Sequence, residues 1–98
     1  MAEARPGSPR SRYPEWPDSL DIKLPEHKLI QGTVINLRRQ KTRLGSVKAV
    51  AEKTGVPAST ISDILNGNTW PTLETMARLE IGLTTPLWPG VGKLKKSQ

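Results

Sequence analysis

The 98-residue sequence has no cysteine, no phenylalanine and a single histidine, His27. Without cysteine there is no disulfide, no thiolate zinc site and no cysteine nucleophile. One histidine excludes any mechanism that needs two, and His27 itself, lone and near a helix start, receives no role. Carboxylates are not clustered either: Glu74 and Glu80 lie six apart and so on different faces of a helix. An enzyme is therefore the least supported class, with no catalytic residue, metal site or cofactor expected. No apolar run approaches the ~20 residues of a membrane span. No apolar stretch follows Met1, so no signal peptide is expected and the expected address is the cytoplasm. Period-two runs bounded by hairpin turns are absent, as are internal repeats.

What remains is a small basic chain. Hydrophobic residues make up 35%, enough for one compact core of modest size. The net charge is +6, which points to a polyanionic partner. Residues 1–24 are net neutral, residues 25–89 carry +3, and residues 90–98 carry another +3 through Lys93, Lys95 and Lys96. This suggests an N-terminal tail, a central domain over 25–89 and a flexible basic tail whose lysines add salt-dependent affinity or only solubility.

Residues 1–24 hold Pro6, Pro9, Pro14 and Pro17, a spacing that forbids a continuous helix. The segment is expected to be a disordered or extended Pro/Arg-rich tail. Within it, Tyr13-Pro14-Glu15-Trp16-Pro17 has two readings: local packing of both rings against the core, which is favoured, or a docking motif for a protein partner.

Four helices follow. The first begins after Pro25, with Ile30, Val34 and Leu37 on one face, and fades over residues 42–45. The second runs from the N-cap Ser46 to Thr54 and is stopped by Gly55. The third spans about 57–65, with Ala58, Ile61, Ile64 and Leu65 on its inner side. Asn66-Gly67-Asn68 is a turn, and Trp70 is expected as a core plug beneath it in preference to a dimer contact. The fourth starts at the N-cap Thr72 and presents Leu73, Met76, Ala77, Leu79 and Leu83, with Gly82 loosening its end. Leu87 and Trp88 offer a last apolar pair.

Two short helices joined through Gly55 and Val56 have the form of a helix-turn-helix. Steep crossing requires a small Ala51, a positive φ at Gly55 and a plug at Val56, with Val50, Ile61 and Ile64 holding the pair to the body. The outer face of the third helix is then free to enter a major groove.

The stretch Val50-Ala51-Glu52-Lys53-Thr54-Gly55-Val56-Pro57-Ala58-Ser59-Thr60-Ile61-Ser62-Asp63-Ile64 resembles the Cro/cI-type helix-turn-helix family. Leu65-Asn66-Gly67-Asn68-Thr69-Trp70-Pro71-Thr72-Leu73-Glu74-Thr75-Met76-Ala77-Arg78-Leu79 continues the likeness. The resemblance implies a lambda-repressor-like, all-α bundle of four to five helices and a sequence-specific DNA-binding regulator of phage or mobile-element repressor type. It also implies a homodimer, weak without DNA, that joins the nucleoid when bound to double-stranded DNA.

The base-reading positions are Ala58, Ser59, Ser62 and Asp63, which are small or acidic and imply modest direct readout. The expected phosphate contacts are Arg38, Arg39, Lys41, Arg43, Ser46, Lys48, Thr60, Asn66, Asn68 and Thr69. Two departures matter. Val47 stands where the family often has a phosphate-anchoring Gln, leaving that task to Ser46 or Lys48. Leu65 stands where many members carry a Glu that pairs with a first-helix Arg, which frees Arg38 or Arg39. The other readings are a protein-interaction adaptor or an antitoxin-like module on the same fold, motivated by the weak reading residues and the Tyr13 and Trp16 segment.

Overall fold

The computed structural model describes residues 6–94. Arg5, Lys95 and Lys96 lie outside it, so the reading of the extreme C-terminus as a basic tail is not addressed. Five α-helices follow one another: α1 (Pro9–Arg12), α2 (Pro25–Leu44), α3 (Val47–Thr54), α4 (Ala58–Leu65) and α5 (Leu73–Leu83), and a 3-10 turn covers Val91–Leu94. Among the described residues there is no strand.

The helix ends follow from local chemistry. Pro25 sits in the first turn of α2, where its missing N–H costs nothing, and Glu26 meets the positive end of the helix. Ser46 and Thr72 cap α3 and α5 by accepting from the amides of Ala49 and Thr75. The long α2 packs on α3 and α4, and α3 packs on α5. Val34, Leu37, Val50, Val56, Ile61 and Leu79 fill the space between them.

Apart from α1, residues 6–24 are turns and irregular chain, consistent with the proline spacing, but they are not separate from the core. They form a strap across the bundle. Trp16 is only 6% exposed and belongs to the core cluster, with Tyr13 packed against it. The Trp16 and Trp70 rings meet edge to face, with centroids 5.6 Å apart. His27, given no role from the sequence, stacks on Trp70 and holds the Tyr13 hydroxyl at 2.6 Å from Nδ1. Gln31 Nε2 donates to the carbonyls of Pro17 and Ser19, and Trp70 Nε1 donates to that of Gly7. The favoured reading, local packing, describes this arrangement: Trp16 is buried in the core and the half-buried Tyr13 packs against it. The indole N–H of Trp16 and the Ser19 hydroxyl are buried without a partner among the described residues.

Three other expectations change. Leu73 and Ala77 are exposed, so the buried face of α5 narrows to Leu79 and Leu83 with Met76 half-buried. Leu87 is fully buried whereas Trp88 is exposed. Glu80 is the reason: its Oε2 accepts from the amides of Leu87 (2.7 Å) and Trp88 (2.9 Å) and folds the chain back over the core. The flexible tail expected from residue 90 is instead ordered as far as the Val91–Leu94 turn.

The strap's place in the core can be tested by thermal denaturation. Trp16→Ala is expected to cost about 3–5 kcal/mol, as for other large aromatics removed from cores. Leu20→Ala, at a fully exposed strap position, should stay within about 0.5 kcal/mol of the parent. Equal melting temperatures for the two variants would show that the strap is not part of the folding unit.

Candidate nucleic-acid interface

The corner between α3 and α4 consists of Gly55, Val56 and Pro57. Gly55 ends α3 at φ +79°, a left-handed conformation that other residues resist, and its N–H donates to Ala51 O. Val56 is buried beneath the corner, and its N–H donates to Thr54 Oγ1. Two residues of α5 complete the turn: Arg78, which had no reading from the sequence, and Gly82, which was read differently. Arg78 Nη2 donates to the Gly55 carbonyl at 2.8 Å. Gly82 does not loosen the helix end. A Cβ at Gly82 would lie 2.6 Å from Thr54 Cα, so the missing side chain is what lets α5 reach the end of α3. Neither role leaves a local pattern, since both partners lie more than twenty residues away in the chain.

This corner turns Ile61 and Ile64 inward and leaves the other side of α4 outward. Ala58 and Ser59 are exposed, and Thr60, Ser62 and Asp63 are half-buried. No side chain caps α4. The amides of Ala58, Ser59 and Thr60 therefore lack helical partners at the positive end of the helix. Asp63 is not free: Asn68 Nδ2 donates to its Oδ1 at 3.3 Å.

The expected phosphate contacts divide into groups. Lys48 is exposed on the first turn of α3. Ser46 is engaged as the α3 cap, but the cap uses an acceptor lone pair and leaves its hydroxyl proton available. Arg43 is exposed and braced by two hydrogen bonds to Gln40 Oε1. Asn66 is exposed just past α4, and Thr69 is half-buried. Lys41 and Asn66 line one open cleft of about 450 Å³ together with Arg10 and Arg38.

One of these expectations is corrected. Arg38 is not freed by the absence of a Glu at position 65, because the strap supplies a carboxylate in its place. Its Nη1 and Nη2 reach the two oxygens of Asp18 at 3.2 and 2.8 Å. Hydrogen bonding from Arg38, reinforced by its charge, holds the Asp18 carboxyl below its ordinary pKa and raises that of Arg38. Arg39 is not part of the same cleft: it bonds Asn36 and lines another one with Leu20, Pro89 and Leu94.

The helix-turn-helix family profile matches residues 37–87, just over half of the chain. This chain is a Cro/cI-type helix-turn-helix protein. No curated protein and no solved structure matches it. The matched span runs from the buried Leu37 of α2 to the buried Leu87, and so contains the corner, α4 and all of α5. As a helix-turn-helix protein it binds DNA, and α4 occupies the place of the recognition helix. The strap lies wholly outside the matched residues.

Two outcomes follow from this geometry. Gly82→Ala forces the α5 backbone off Thr54 and should cost about 1–3 kcal/mol in chemical denaturation, as overpacking does. An unchanged midpoint would mean that the contact is not needed. The Asp18–Arg38 pair should contribute a small, exposed-pair stabilisation. Because the folded carboxyl pKa is depressed, that contribution is present above the ordinary Asp value of 3.8 and is lost as pH falls through the lowered value. The stability gap between the parent and Asp18→Asn should thus appear at neutral pH and close in acid.

Proposed function

We propose that this helix-turn-helix protein is a sequence-specific transcriptional regulator that places α4 in the major groove of double-stranded DNA. The observation that supports this reading is the outward face of α4. Exposed Ala58 and Ser59 stand at the uncapped start of α4, and half-buried Ser62 and Asp63 follow one turn on, after the Gly55 corner. Ala58 suits a thymine methyl, and the two serines contact several bases with little discrimination. Direct readout is accordingly modest, and phosphate contacts and DNA shape supply the rest. Lys41, Arg43, Lys48, Ser46, Thr60, Asn66 and Thr69 are the phosphate-contacting groups in this reading. Its class is a cofactor-free cytoplasmic repressor of phage or mobile-element type, which rests on the family alone.

One short helix reads too few base pairs for useful specificity, so the protein acts as a homodimer that assembles on its operator. Leu87 and Trp16 are buried and are not available for the contact. Leu73, Ala77 and Ile81 recur at i, i+4 and i+8 on α5, are exposed, and form the interface in this reading, with Trp88 beside Leu73. An adaptor or antitoxin-like reading loses one of its two motivations, because Trp16 belongs to the core and Tyr13 packs against it.

The test is a fluorescence titration against random duplex and a selected pool at two salt concentrations. Enriched sites with half-site symmetry are expected, with spacing set by the dimer. Lys48→Ala should weaken binding alike on all sequences and lower the salt slope by about 1, whereas Ser59→Ala should relax preference at one position only. A pool that enriches nothing would rule out operator recognition.

A further inference from the structure

The strap carries cations that the family resemblance does not cover. Arg10 is the second residue of α1, and its amide donates to the Gly67 carbonyl at 3.0 Å. That bond fixes the strap against the turn that follows α4. The Arg10 side chain continues the connection: Nη2 donates to Asn68 Oδ1 at 2.9 Å, and Asn68 Nδ2 donates on to Asp63 Oδ1. The two bonds assign the amide orientation between them, since the oxygen must face the guanidinium and the nitrogen the carboxylate. Arg10 is therefore a fixed cation at the C-terminal end of α4, joined through one residue to a base-reading position.

Beside it lies the cleft of about 450 Å³ between the strap, the last turns of α2 and Asn66. Arg10, Arg38 and Lys41 line it, opposed by Glu15 at the rim. Arg38 is already paired with Asp18, whereas Lys41 has no ion-pair partner among the described residues and Arg10 bonds only the neutral Asn68. Two cations without an ion-pair partner among the described residues line one open cleft at the end of α4 and suit one phosphodiester group.

We propose that Arg10 and Lys41 form a phosphate clamp for the backbone of the bound duplex, so that the strap is part of the DNA-binding surface as well as of the core. This inference rests on the DNA-binding reading above. The same relay through Asn68 draws the Asp63 carboxylate back toward Arg10 and lowers its repulsion of the adjacent strand.

The experiment measures duplex affinity of the full chain across a salt series for the parent, Arg10→Ala, Arg10→Lys, Lys41→Ala and Lys28→Ala. One neutralised phosphate contributes about 0.9 to the slope of log K against log salt. Arg10→Ala and Lys41→Ala should each lower the slope by up to that amount. If the lines meet at about 1 M salt, affinity at about 0.1 M falls by up to roughly eightfold. Arg10→Lys should restore most of the slope, and Lys28→Ala, on the other cleft, should leave it unchanged. The Lys41 side chain makes no hydrogen bond among the described residues, so its variant keeps the test valid even if Arg10→Ala loosens the strap. Unchanged slopes in both alanine variants, with Lys48→Ala still lowering the slope, would overturn the clamp and leave the DNA-binding reading intact. Inorganic phosphate saturating the Arg10 and Lys41 resonances alongside unchanged slopes would assign the cleft to a free anion, and would also overturn it. A parent that binds no duplex at any salt would overturn both readings.

Discussion

The backbone of α5 approaches the end of α3 so closely at Gly82 that a methyl group there would overlap Thr54. Much of the DNA-facing architecture depends on this approach. It brings Arg78, one turn earlier on α5, within hydrogen-bonding reach of the Gly55 carbonyl. The carbonyl is thereby satisfied although Gly55 is in a left-handed turn that helical bonding cannot serve. With the corner pinned, Val56 is driven into the core, and α4 leaves α3 steeply enough to expose Ala58 and Ser59. The recognition face is thus a consequence of packing on the opposite side of α3.

The strap plays a comparable part at the other end of α4. Trp16 and Tyr13 supply aromatic surface to a core that has no phenylalanine, and they meet Trp70 and His27 in one aromatic cluster. The cluster lies under the Asn66-Gly67-Asn68 turn, so apolar burial and the Arg10–Gly67 bond hold the turn from both sides. The same strap replaces a carboxylate that the bundle lacks. Leu65 cannot pair with an arginine, and Asp18 does so from outside the family-matched residues. A surface pair of this kind adds little stability. Its consequence is directional: it fixes Arg38 at the cleft wall and leaves Lys41 and Arg10 as the groups with charge to offer.

Helix positions, caps and the corner were legible in the sequence because each depends on residues close together in the chain. Ser46, Thr72, Gly55 and the turn after Leu65 act over one to four positions, and apolar spacing identified Val34, Leu37, Ile61, Ile64 and Leu79 as inward. The width of the apolar face of α5 was misread for the same reason. Leu73 and Ala77 fit the helical period, but whether a face is covered depends on what packs there, and nothing does among the described residues. His27 had no neighbour in sequence to suggest Tyr13 and Trp70 as its partners.

The sequence by itself determined an all-α chain, a glycine corner between two short helices, the residues on the outer face of α4 and the absence of thiol chemistry. These follow from local backbone preference, periodicity and composition. Only the tertiary structure decided which charges are free. Arg38 is bound to Asp18, Asp63 to Asn68 and Asn68 to Arg10, across separations of 20, 5 and 58 residues. It also decided that the proline-rich segment joins the core. Proline spacing forbids a long helix there but says nothing of where two aromatic rings come to rest, because burial is a property of the assembled surface.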